Sequence, residues 1–308
     1  MKRFRILMVM GLVLVLSGCG GNVLLPMMGE PLDVETARSE RSAVQSLQDS
    51  LLVSDLVFAP SDDSGQRIRG HTSCGRTTCL SNVLGQAYLR VRLSTRTDAE
   101  SSGFFAGEPI ISALERYRGV SLGAFFRTDT LRTEYVEVDT DMLSYEGWMQ
   151  YSMFGAELNT ITHGIINYGD YQQVITGERY GLAHSSGMAT DTNPVDGSAT
   201  WTGVVIGGRI SQSASVGIGV RGHATLAYDF MNENIDVFLT NIQNSRPEVD
   251  GRQIYPNMTW QNLPVRDGRF GADFDDPTLE GRFYGPNHEE VGGIFERNQI
   301  IGAFGAKR

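Results

Sequence analysis

The chain has 308 residues, with 26 Lys and Arg against 36 Asp and Glu and a formal net charge of −10. That balance argues against nucleic acid and against electrostatic attraction to anionic headgroups. The length suits one barrel and a smaller second part, and is short for two full barrels.

Residues 1–18 read as a secretory signal peptide. Lys2, Arg3 and Arg5 precede an apolar run from Ile6 to Leu16, and small residues follow. The run stops well short of the roughly 20 residues a membrane-spanning helix needs. Leu16-Ser17-Gly18-Cys19 resembles the bacterial lipobox. That resemblance implies cleavage before Cys19 and a diacylglyceryl group on its sulfur, which would be the membrane anchor. Gly20 and Gly21, not aspartate, stand directly after Cys19, so by analogy with Gram-negative lipoproteins the outer membrane is expected.

Residues 19–34 read as a tether, with Gly20, Gly21, Pro26 and Pro31. A helix is expected over 35–56, since Val44, Leu47, Leu51 and Leu52 form an apolar stripe on a polar segment. Cys74 and Cys79 stand five apart around Gly75 in an exported chain, so a disulfide is expected. Zinc would need two further ligands and only His71 is close. A redox pair would need the C-x-x-C spacing. Residues 87–94 alternate as a strand, and 108–120 read as a second short helix with Ile110, Ile111, Leu114 and Tyr117 on one side. Residues 35–130 are thus read as an N-terminal helix and strand region.

From about 131 the text becomes strand after strand. Tyr145, Met149, Tyr151 and Met153 alternate in one run, and Ala224, Leu226, Tyr228 and Phe230 in another. Turn-rich segments such as DTNPVDGS, FMNEN and PVRDGRF separate the runs, a pattern expected of an antiparallel barrel or sandwich. The chain finishes on GRFYGPNHEEVGGIFERNQIIGAFGAKR. Phe283, Tyr284, Ile294 and Phe295 are candidates for the core there. In the last strand Gly302, Phe304 and Ala306 would share one face, with Ala303 and Gly305 on the other. Glycines suit strands that coil at barrel corners, and a closed barrel leaves no free edge.

This ending resembles the C-terminal signature of the transferrin-binding protein B-like β-barrel lipoproteins of Gram-negative bacteria. The matching positions are Phe283, Tyr284, Gly285, Pro286, Glu290, Gly292, Gly293 and Phe295, then Gly302, Phe304, Gly305, Ala306 and Lys307. His288 departs from the pattern, which usually has a small residue there. The resemblance covers residues 131–308 and implies an eight-stranded antiparallel barrel, often paired with a strand-rich handle. The expected fold is therefore mainly β, with the barrel on the C-terminal side and a smaller N-terminal α+β portion. The best-known members have two such lobes and capture host iron carriers at the cell surface; their partner-binding residues match no motif here.

The remaining motifs carry little chemistry. GIGVRG at 217–222 matches G-x-G-x-x-G, but a strand rather than a helix follows, so its glycines read as a hairpin connection. His71, His163, His184, His223 and His288 show no metal-ligand spacing. His288-Glu289-Glu290, Asp62-Asp63 and Asp275-Asp276 read as solvated turns. No catalytic set, cofactor fingerprint or metal motif is apparent, and an enzyme is not expected. The expected function is a lipid-anchored outer-membrane binding protein, for a protein or an iron or haem carrier. The alternative is a structural accessory lipoprotein facing the periplasm.

Overall fold

The computed structural model describes residues 29–58, 67–74, 110–132, 136–168, 171–175, 179–196, 200–209, 218–245, 251–271 and 278–308. Two β bodies pack face to face. The first is an open sheet built from β1 (Glu30–Pro31), β2 (Ser50–Phe58), β3 (Arg67–Cys74), β4 (Ile110–Tyr117), β5 (Val120–Arg132), β6 (Val136–Trp148), β7 (Ser152–Tyr168), β8 (Tyr171–Ile175) and β9 (Arg179–Gly187). Its order is β1-β4-β5-β6-β7-β9-β2-β3, with β8 on β7.

The second is a closed antiparallel barrel: β10 (Thr200–Arg209), β11 (Ile218–Asp229), β12 (Asn234–Asn244), β13 (Met258–Arg266), β14 (Arg269–Gly271), β15 (Leu279–Tyr284), β16 (Glu290–Arg297) and β17 (Ile300–Lys307). The last strand closes the cylinder on the first, from Thr202↔Lys307 to Arg209↔Ile300. The barrel thus begins at Thr200, not near 131. Residues 136–187 belong to the open sheet, so among the described residues the N-terminal body is a nine-stranded sheet with one helix.

Tight turns fix the register. Arg118-Gly119, Asp267-Gly268 and Asn298-Gln299 each join two strands with both residues at positive φ, the geometry that matches strand twist. Residues 110–120 of the segment expected to be helical are therefore hairpin. Leu114 packs toward the helix side of the sheet while Glu115 reaches Arg221 of the barrel. YEGWMQYSMF is likewise a hairpin: β6 ends at Trp148 and β7 starts at Ser152.

The single helix among the described residues is α1 (Val34–Gln45), capped by Asp33, whose carboxylate accepts from Thr36 N. It is shorter than the stripe over 35–56 implied. Leu47 is left partly exposed and Leu52 is drawn into β2, which pairs with β9 over all nine residues and with β3 over eight of them. Two strand ladders outweigh about three more helical turns of weak intrinsic preference. Only Ala37 and Val44 of α1 are buried, against Leu114, Trp148 and Met153. Polar ties add to this. Arg41 makes a two-pronged pair with buried Glu146 at 2.7 and 3.1 Å, and Glu40 accepts from Ser121 Oγ at 2.7 Å and from Trp148 Nε1 at 3.3 Å.

Barrel alternation sorts the side chains. Trp201, Ala224, Leu226, Tyr228, Phe283, Phe295, Phe304 and Ala306 point inward with the other core residues. Val204, Ile206, Ile294, Ile301 and Ala303 point outward into a second core shared with Leu122, Tyr145, Phe154, Leu158 and Ala183 of the sheet. The two faces expected for the last strand are the two observed.

Candidate functional site

The outward-facing positions of the C-terminal signature map onto the seat between barrel and sheet, while Phe283, Phe295, Phe304 and Ala306 fill the barrel. Gly305 faces outward beneath the Phe154 ring, where an added Cβ would sit 2.1 Å from Phe154 Cε1. Tyr284, fully buried, shares a 3.0 Å hydrogen bond with Ser185 of β9, and burial pushes its phenol up to about 12. Gly285, at φ 86, donates its N–H to Met188 O at the start of the inter-body linker. Glu290 turns its carboxylate onto the β6–β7 hairpin. It accepts from Gln150 N at 2.7 Å, Tyr151 N at 3.1 Å and Ser152 Oγ at 2.7 Å. Burial raises the Glu290 pKa against the pull of those bonds.

His288 sits at φ 60 in the turn between β15 and β16. Its Nε2 lies 2.8 Å from Thr192 O, its ring packs edge-on to Phe283, and its carbonyl accepts from Trp201 Nε1 at 2.8 Å. The larger side chain is thus accommodated by pinning the linker across the barrel end. The same linker is held by Thr190 N→Phe283 O, Gly268 N→Asn193 Oδ1 and Arg282→Asp191.

At the opposite margin of the seat Glu115 accepts from Arg221 at 3.1 Å and from Gly29 N at 2.8 Å. It thereby joins the N-terminal segment, the sheet and the barrel. His223 Nε2 lies 2.8 Å from Tyr117 Oη, and burial, then the charge of Arg118, lowers its pKa. Two cavities lie here, of about 30 Å³ by Glu115, Tyr145, Arg221 and Ser245, and of about 10 Å³ by Tyr117, Arg221 and His223. They are water-sized, against the roughly 300–1,000 Å³ of a small-molecule pocket.

The sequence-level sites fare unevenly. Cys19 and Cys79 lie outside the described residues, as do Asp62-Asp63, Asp275-Asp276 and residues 87–94; Cys74 ends β3. Gly219 and Gly222 of GIGVRG lie within β11 rather than in a hairpin connection, and Gly219 backs onto the Tyr145 hydroxyl. No group of three His, Cys, Asp or Glu able to hold a metal occurs among the described residues. Sequence reasoning missed the roles of Glu115, Glu146 and Glu290; a carboxylate in an otherwise buried strand was the available signal.

Residues 193–308 match the family model described as the C-lobe and N-lobe beta barrels of Tf-binding protein B. The C-terminal barrel is similar to the barrels of transferrin-binding protein B. The match opens in the linker and runs through all eight barrel strands. Solved structures give more distant likenesses. A transferrin-binding protein B mutant from Actinobacillus pleuropneumoniae H49 is 14% identical, with 83% of this chain and 98% of that chain covered and a TM-score of 0.33. The N-lobe domain of lactoferrin-binding protein B of Moraxella bovis is 14% identical over 84% and 98%, with a TM-score of 0.32. A transferrin-binding protein B mutant from Haemophilus parasuis Hp5 is 11% identical over 92% and 52%, with a TM-score of 0.36. Scores this low carry no functional weight. No curated protein matches the chain.

Proposed function

We propose that this is a lipid-anchored outer-membrane binding protein that holds a protein partner on the outside of its barrel and sheet. The observation that carries the reading is the filled interior of a barrel whose family model is named for transferrin binding. Trp201, Tyr228 and Phe270 pack tilted or edge-on around Phe283 in the centre at ring separations of 5.1 to 6.2 Å. A haem or another carrier-sized ligand would have to displace that core, whereas a protein needs only exposed loops and strand faces. An iron-carrier protein of the transferrin type is the first partner to try. The anchor rests on the lipobox at Cys19.

The test is to immobilise the purified chain and present transferrin, lactoferrin, haemoglobin and free haem in turn. Saturable capture of a protein, with no shift of the haem absorption band, is the expected result. A haem shift without protein capture would overturn the reading. Protease shaving of intact cells separates surface display, where the chain is cut, from the periplasmic accessory role, where it is protected.

A further inference from the structure

The direction in which the N-terminal segment leaves the fold orients the molecule. β1 runs antiparallel to β4, with Pro31 opposite Glu115 and Glu30 opposite Arg116. Followed backwards, the chain passes Gly29, packed against Arg116 and Tyr117, toward the β4–β5 turn. That turn lies at a defined end of the barrel, since Gly119 touches the Lys307 side chain. The same end holds the linker at 188–196, the turn at 285–289, the Asp267-Gly268 turn and the β11–β12 tip. Cys19 is ten residues before Gly29, a span that cannot exceed about 35 Å even when fully extended. The β11 and β12 strands, of 12 and 11 residues, are about 35–40 Å long at roughly 3.3 Å per residue and rise about 30 Å along the axis at a barrel tilt of about 40°. A tether of that length reaches a bilayer at the near end directly. To put the far end on the bilayer it would have to double back along the whole barrel.

The near end also displays unpaired apolar side chains. Met231 is 93% exposed and Val195 84% exposed. The Met231 tip is held rigid. Asp229 Oδ1 accepts from Met231 N and Asn232 N, its Oδ2 from Asn232 Nδ2, and Phe230 packs edge-on to Tyr228. A preformed tip with an apolar summit loses little conformational freedom on insertion among headgroups. The charges around it are of both signs, with Asp229, Glu233 and Asp267 beside Arg266, Lys307 and Arg308, so the contact needs no anionic lipid.

We propose that this barrel end, with Met231 and Val195, rests on the lipid headgroups, leaving the opposite end and the strand faces to the partner. The proposal rests on the reading of Cys19 as the acylated residue. The experiment is hydroxyl-radical footprinting of the full lipidated chain in phosphatidylethanolamine–phosphatidylglycerol vesicles, against the Cys19→Ser chain added to the same vesicles. The mass of the N-terminal peptide reports the acyl group separately. The expected result is several-fold slower labelling of Met231 and Val195 in the anchored chain, with Ile254, 63% exposed at the opposite end, labelled equally in both. Unprotected Met231, or protection of Ile254 instead, in a chain shown to be acylated would overturn the orientation while leaving the anchor intact. An unmodified Cys19 would overturn both.

Discussion

Glu290→Ala should destabilise the protein by about 3 kcal/mol, counted as three donors losing their acceptor at about 1 kcal/mol or more each. The donors are Gln150 N, Tyr151 N and Ser152 Oγ, all on the sheet, while Glu290 is on the barrel. Glu290→Gln keeps an amide oxygen for the two backbone N–H groups and should cost far less. The pH dependence separates geometry from charge. Burial raises the Glu290 pKa above its ordinary 4.5, so the charged form is less favoured folded than unfolded. The stability contributed by Glu290 is then greatest below the unfolded value and falls as pH rises through the raised folded value. Urea midpoints across that window should show the wild type losing ground to Glu290→Gln as pH increases. Parallel curves would mean that the carboxylate pays no burial penalty at the seat.

Gly305→Val should be at least as damaging, about 3 kcal/mol or more, at the upper end of overpacking costs. The position has no slack. The new Cβ would fall 2.1 Å from a Phe154 ring that is itself fully buried, and Gly305 pairs with Val204 on one side and Gly292 on the other. Combining it with Phe154→Leu, which frees room at the same spot, should recover part of the loss. Thermal melts of the two single variants and the double variant would show this as a double loss smaller than the sum. Simple additivity would place the strain elsewhere.

Alternation made much of the barrel legible. Ala224, Leu226 and Tyr228 on β11 and Gly302, Phe304 and Ala306 on β17 point inward as their period of two requires. The boundary between bodies was not legible. A strand such as β6 reads alike in an open sheet and in a barrel, and closure depends on which strands pair, here β10 with β17 across nearly a hundred residues. Leu51 and Leu52 fitted a helical stripe, yet the ladders to β3 and β9 claimed them. The seat was invisible for the same reason: Glu290 and its donor Gln150 are 140 positions apart. The glycines of the ending were assigned to coiling, which explains them only in part. Gly305 is small because an aromatic ring from the other body lies on it.

Native-state hydrogen exchange on the intact chain tests most directly whether this ending fastens the barrel to the sheet as one body. Peptides from β16 and β17 and from β6 and β7 should open with the same free energy, and Glu290→Ala should lower both together. Barrel peptides that stay protected while the sheet exchanges, with Glu290→Ala changing only one set, would contradict it.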